Sequence, residues 1–381
     1  DRQTAVDVCK RLLSHLDANS TEQAADVLRI PVSEYLDPHR WQTEVDRIFR
    51  RVPLVVGLSC QLRQPGDYVT REVAGQPVVV IRGDDGTART LLNVCRHRGA
   101  IVAKDECGHA RRLACPYHAW TYDTTGALVG VPGRNSFGEL DDSSLGLVSL
   151  PTQECHGLVF AVMTPGAGID VDEWLGDIAS EVADLHLDEM HQFRSLRLDG
   201  PNWKVAKDGY FDGYHFGALH KNTLGTIFLS NTQAIDTFGP HQRLCFGARS
   251  LVDLRDKPED DWDVARDRFG MVLALFPSTA FAGGGTDGIL VSQVYPGSHP
   301  MESVTYQTHL RRRLPTTPEE EKVAVANVEF LEYVVTQEDY ATGLSINRAL
   351  PSGANTEFVF GRNELGNQHF HGWVRRLVEA D

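Results

Sequence analysis

The 381-residue chain carries 52 acidic against 37 basic residues, a formal charge of −15, which argues against nucleic acid or an anionic membrane as its main partner. With 41% hydrophobic residues it has material for sizeable cores in two or three domains, yet no run approaches the ~20 apolar residues that a bilayer span needs. Seven cysteines, an odd count in so long a chain, make no disulfide scaffold and point to a reduced, cytoplasmic setting, and the opening DRQTAVDVCKRLL lacks the apolar core of a secretory signal.

The first fifty residues hold two weakly helical stretches, 4–17 and 40–50. From 52 to 165, short β-rich runs alternate with turn chemistry. PVVVIR (77–82) and TARTLLNVC (87–95) flank GDDG and predict a hairpin; TYDTTGALVG (121–130) predicts another. TPGAGID (164–170) has the composition of a linker, and a helix is expected over 171–186. Further on, MVLALF (271–276), GILVSQVY (288–295) and the alternating SVTYQTHL (303–310) predict an antiparallel sheet. A long helix should start near Pro318, with EEEK in its first turn where acidic side chains suit the helix dipole. No internal repeat is present. The pattern is that of an α+β protein.

Two loops carry the first chemical signal. NVCRHRG places Cys95 and His97 one residue apart, and CPYHAW, separated from His97 by 17 residues, supplies Cys115 and His118. Structural zinc sites pair like with like, as CxxC or HxxxH, whereas each loop here offers one thiol and one imidazole. That mixture suits a two-iron, two-sulfur cluster with both thiolates on one iron and both imidazoles on the other. Zinc and a structural disulfide remain the alternatives.

The segment KDGYFDGYHFGALHKN holds the second signal in Asp212, His215 and His220. Two imidazoles and a carboxylate make the facial triad of non-haem iron(II) oxygenases, which leaves positions open for dioxygen. In a regular α-helix His215 and His220 would point about 140° apart. One iron can take both only if the helix ends or bulges between them, which Gly213 and Gly217 ease. A further acid is expected from the helix after Pro318, whose Ala324, Val328, Leu331, Val335 and Thr342 share a face. Glu338 and Asp339 both fall near that face, so periodicity cannot choose between them, and a solvent-facing charge pair is the plain alternative.

These stretches, with the lead-in PGDYVTREVAGQPVVVIR, the run NWKVAKDGYFDGYHFGALH (202–220) and the ending FGRNELGNQHFHGW (360–373), resemble the large (α) subunit of the Rieske non-haem iron aromatic ring-hydroxylating dioxygenases. The resemblance implies a small all-β Rieske domain (44–163), a larger catalytic domain with an antiparallel sheet flanked by helices (164–381), and an N-terminal helical segment (1–43) packing on the latter. It implies one [2Fe–2S] cluster on Cys95, His97, Cys115 and His118, and one mononuclear iron on His215, His220 and Asp339. Asp212 is implied to orient His215 and to bridge to His118 of a neighbouring subunit in a trimer, with a small β subunit as a further possible component. Electrons would come from NADH through a separate reductase or ferredoxin, since the chain has no nucleotide-binding glycine motif. The implied reaction is cis-dihydroxylation of an aromatic substrate by O₂; the alternative is a monooxygenase or O-/N-demethylase. An electron carrier would need neither His215, His220, Asp339 nor so long a second domain.

Three departures from the family pattern stand out. Ala119 takes the place of a usual Gly beside the cluster, Gly209 after Asp208 takes that of a usual Phe, and Asn347 that of a usual Gln. Around the cluster loops, Arg96, Arg98, Lys104, Arg111 and Arg112 stand against Asp105 and Glu106, a local +3 that suits an acidic ferredoxin or reductase.

Overall fold

The structure is a computed structural model that describes residues 2–264, 267–283 and 288–380. The chain forms two compact units, Val45–Leu175 with Ala179–Met190, and Asp1–Glu44 with Gly176–Ile178 and His191–Asp381.

The first unit is built from three small antiparallel sheets. In the strand Gln76–Arg82 the β-branched run Val78–Ile81 is wholly buried, the signature of a strand covered on both faces. It pairs with Ala88–Leu92 across the expected first hairpin. The second expected hairpin joins Thr121–Asp123 to Leu128–Gly130. Its turn forms because Asp123 Oδ1 accepts the N–H groups of Thr125 and Ala127, while Gly126 takes φ +90°, which a side chain would resist. Both hairpins pack into one core with Val79, Ile81, Leu91, Trp120 and Tyr122, and Cys95 and Cys115 belong to that core. The helix expected over 171–186 is two short pieces, Val171–Leu175 and Ala179–Ala183, because Gly176 turns left-handed at φ +51°. Val171 N–H donates to Gln153 Oε1 at 3.1 Å, so this segment joins the β unit and extends it beyond 163.

The second unit centres on a seven-stranded antiparallel sheet. The three runs read from sequence occupy Phe269–Leu275, Gly288–Pro296 and Ser303–Arg311. Thr279–Gly283, His191–Gly200, Phe228–Phe238 and His241–Ala248 complete it. Two of these lacked a sequence signal because they bury polar residues: His241–Ala248 is buried throughout, although it reads HQRLCFGA, and Phe228–Phe238 buries Thr232 and Gln233. The N-terminal helix Arg2–Asp17 packs Val6, Cys9 and Leu12 against Ala234, Cys245 and Leu251 of this unit.

Two helices position the site. Trp203–Asp208 is capped by Asn202, whose side chain accepts Lys204 N–H, and is anchored by fully buried Glu44, which takes Trp203 Nε1–H at 2.9 Å and the Lys204 ammonium. Pro318–Tyr333 starts as expected, with Thr317 accepting Glu320 N–H. It then passes through a π-helical turn, Val334–Asp339, into Tyr340–Ala349. The extra residue of a π turn rotates everything after it by about 100°. Thr342, expected on the buried face, is therefore exposed, and Tyr340, Gly343 and Asn347 are buried instead.

Candidate functional site

In the β unit the two loops are near-copies. Cys95 C=O accepts Gly99 N–H at 2.9 Å, and Cys115 C=O accepts Ala119 N–H at 2.8 Å. Each loop closes on a left-handed residue, Gly99 at φ +78° and Ala119 at φ +54°. The replacement of a usual Gly by Ala119 thus falls where a Cβ costs about 1–2 kcal/mol. Both thiols are buried at 3% exposure, and all seven cysteines are free, so Cys95 and Cys115 form no disulfide. The imidazoles of His97 and His118 are half-buried, with ring centres 4.7 Å apart, and His97 stacks on Trp120. Burial and the nearby Arg98, whose Nη2 lies 2.7 Å from His118 Nε2, hold His118 below the ordinary imidazole range and hence neutral, as a metal ligand must be. Tyr122, which carried no sequence signal for a role, places its hydroxyl 3.3 Å from Cys95 Sγ while accepting Arg96 N–H. Two thiols toward the core and two imidazoles toward solvent fit the donor set of a [2Fe–2S] cluster.

In the α+β unit the helix Trp203–Asp208 ends before both histidines; His215 sits in the 3₁₀ turn Tyr214–Gly217, which stops ahead of His220 and lets the two imidazoles converge. His215 Nε2 and His220 Nε2 lie 3.1 Å apart, and Asp339 Oδ1 is 3.0 Å from His220 Nε2 and 3.8 Å from His215 Nε2. One ligand atom from each lies within 4.8 Å of the others, an arrangement that could hold a metal ion. The second nitrogen of each ring is braced by an acid: Asp212 Oδ1 meets His215 Nδ1 at 2.9 Å, and Glu338 Oε2 meets His220 Nδ1 at 2.8 Å. Glu338 and Asp339, which periodicity could not separate, thus take different places. Burial pulls His220 toward neutrality, but Asp339 and Glu338 outweigh it and raise its pKa. The pocket of carboxylates therefore favours a cation, and two imidazoles with one carboxylate fit iron(II). Asp212 also accepts the N–H groups of Tyr214 and His215, all through Oδ1.

A cavity of about 650 Å³ opens beside His215 and Asp339. Val205, Leu219, Ile346, Leu350, Phe358 and Phe360 supply much of its wall. Gly209 also lines it, and a Cβ there would meet only Ala206 O at 3.9 Å, so the small residue leaves open space. Asp208, in the same wall, bonds His371 Nε2 at 2.7 Å, and Tyr35 OH at 3.3 Å joins the pair. Asn347 does not reach the site with a charge; it accepts Asn202 N–H and donates to Met301 O, fixing two segments.

Residues 187–380, just over half of the chain, match the family model for the ring hydroxylating alpha subunit (catalytic domain). The chain belongs to that family. Residues 52–151 of this ring-hydroxylating alpha subunit match the Rieske [2Fe-2S] domain. Among curated proteins it is 36% identical over 213 residues to the benzene 1,2-dioxygenase subunit alpha of Pseudomonas putida, covering 54% of this chain and 46% of that one. It is 32% identical over 222 residues to the N,N-dimethyl phenylurea N-demethylase subunit alpha of Sphingobium sp., covering 55% and 47%. The matched stretch thus spans about half the length of these relatives. Its fold superposes on a crystal structure of the quaternary ammonium Rieske monooxygenase CntA with a TM-score of 0.80 at 24% identity, over 94% of this chain and 100% of that one. Among the described residues no helix is long and apolar enough to cross a membrane.

Proposed function

We propose that the protein is the terminal oxygenase of a multicomponent system that hydroxylates a small organic substrate with O₂ and NADH-derived electrons. The observation that carries the reading is the convergence of His215, His220 and Asp339 beside a largely apolar cavity, in a chain that also carries the paired Cys–His loops. When bound, the groups would supply one-electron transfer at Cys95, His97, Cys115 and His118 and O₂ activation at the His–His–Asp site. The protein's own work is to fix geometry. Asp212 and Glu338 set the tautomers and ring orientations of His215 and His220. The walls of Val205, Leu219, Phe358 and Phe360 hold the substrate against the open side of the triad and exclude water.

The preferred reaction is insertion of both oxygen atoms into an aromatic ring, a reading favoured by the benzene dioxygenase relatives and the apolar wall. Monooxygenation with demethylation is the second reading, favoured by the N-demethylase relative and by the carboxylates in the same wall. The proposal includes a homotrimer in which Asp212 meets His118 of a neighbouring subunit, and a separate acidic reductase or ferredoxin that docks on the exposed Arg96, Arg98, Lys104, Arg111 and Arg112. Turnover under ¹⁸O₂ with a panel of arenes and N-methyl compounds tests the chemistry. Two labelled atoms in the product are expected for dihydroxylation and one for monooxygenation; unlabelled products throughout contradict the oxygenase reading.

A further inference from the structure

The inference rests on the reading that the cavity beside His215 and Asp339 receives the substrate. Among the described residues five carboxylates line that cavity, those of Asp208, Asp212, Asp339, Glu357 and Glu364, and neither a lysine nor an arginine does. Four are already engaged by bases: Asp212 with His215, Asp339 with His220, Asp208 with His371, and Glu357 with Arg29. Glu364 differs. Its Oε2 accepts Gly361 N–H at 2.6 Å, and among the described residues no basic side chain forms an ion pair with it. Burial, with Asp212 and Asp208 nearby, pushes its carboxyl up to about 7.

Asn367 supplies an independent observation. It follows Glu364 by three residues at the start of the helix Leu365–Glu379, the spacing that puts two side chains on one side of a turn. It lines the same cavity at 1% exposure, and among the described residues its Oδ1 has no hydrogen-bond partner. A buried acceptor of this kind is unfavourable until it meets a donor. A neutral hydrocarbon would leave Asn367 Oδ1 without a donor and the Glu364 carboxylate without a counter-ion. The rings of Tyr340, Phe358 and Phe360 line the cavity too, and aromatic faces attract cations.

We propose that the substrate carries a protonated amine, whose charge is met by Glu364 and whose N–H donates to Asn367, with its hydrocarbon part against Phe358 and Phe360. The pocket is thus selective for an aromatic or alkyl amine over an uncharged arene of the same shape. Both ring hydroxylation and N-dealkylation are open to such a substrate, so the proposal names the charge that the pocket recognises rather than the bond that breaks.

Equilibrium binding to the purified holoenzyme near pH 7, read by ligand NMR, tests this without turnover. The probes are N,N-dimethylbenzylamine, which is protonated there, and isobutylbenzene, its neutral isostere. The amine should bind at least about tenfold more tightly, and Glu364→Gln should reduce the ratio to about twofold while leaving isobutylbenzene binding unchanged. Equal affinities in the wild type overturn the proposal, whatever the variant does. A preference that survives Glu364→Gln, in protein with a wild-type melting profile, overturns it as well. Failure of the oxygenase reading looks different: no ¹⁸O enters any product while the amine preference stands.

Discussion

The two candidate metal sites are built on opposite plans. In the β unit, all four donors sit on two short loops, and each loop is closed by two backbone bonds around a left-handed residue. In the α+β unit, His220 and its brace Glu338 lie 118 residues apart, and a π-helical turn aims Glu338 and Asp339 at different atoms. Loop sites of the first kind depend on backbone conformation near the donors. Sites of the second kind depend on the register of a distant helix and on acids behind the ligands.

That contrast can be pressed hardest at Glu338. Glu338→Gln keeps the shape but weakens the brace on His220 Nδ1, and iron affinity should fall about 10–100-fold with the Cys–His chromophore unchanged. Metal titration of the apoprotein checks this, and equal loss of both metals would show that the sites are not independent. A second test concerns Lys207, wholly buried and, among the described residues, with no hydrogen-bond partner for Nζ, where desolvation pulls its pKa down to about 7. Between about 7 and the ordinary lysine value of 10.5 the unfolded chain binds more protons than the native one, so stability rises with pH across that window. Lys207→Met should abolish that slope and raise stability near pH 7 by about 1–4 kcal/mol, measured by denaturant unfolding of the α+β transition. The smallest effect belongs to the cluster loops. Ala119→Gly should relieve the left-handed strain and stabilise the β unit by about 1 kcal/mol, whereas the same change at a residue with negative φ would destabilise.

The same contrast explains what the sequence made legible. The cluster loops could be read because their information is local: ligand types, spacing and two hairpins whose turns are fixed by Asp123, Gly126 and the GDDG run. His215 and His220 could be named, and the expected break between them is the end of the 3₁₀ turn Tyr214–Gly217, the α-helix having already stopped at Asp208. The choice between Glu338 and Asp339 could not be derived from periodicity, because a π turn has no reliable residue signature and shifts the buried face from Thr342 to Gly343. Two of the unread strands of the large sheet were invisible for a related reason. Buried polar residues, such as Thr232 and Gln233 in Phe228–Phe238 and His241 and Gln242 in His241–Ala248, hide the hydrophobic pattern by which strands are recognised. The roles of Glu364 and Asn367 depend on which carboxylates find partners, and that is knowable only in three dimensions.

The central claim is that one chain holds two separate iron sites with the ligand sets Cys95, His97, Cys115, His118 and His215, His220, Asp339. Iron and acid-labile sulfide analysis, combined with the visible spectrum, tests it most directly on the wild type, Asp339→Ala and Cys115→Ser. The wild type should hold about three irons per chain, two from the cluster and one mononuclear. Asp339→Ala should keep the red-brown chromophore and both sulfides but lose one iron, and Cys115→Ser should lose the chromophore and sulfide. An Asp339→Ala protein that retains the full iron complement, or a Cys115→Ser protein that keeps its chromophore, would contradict the account.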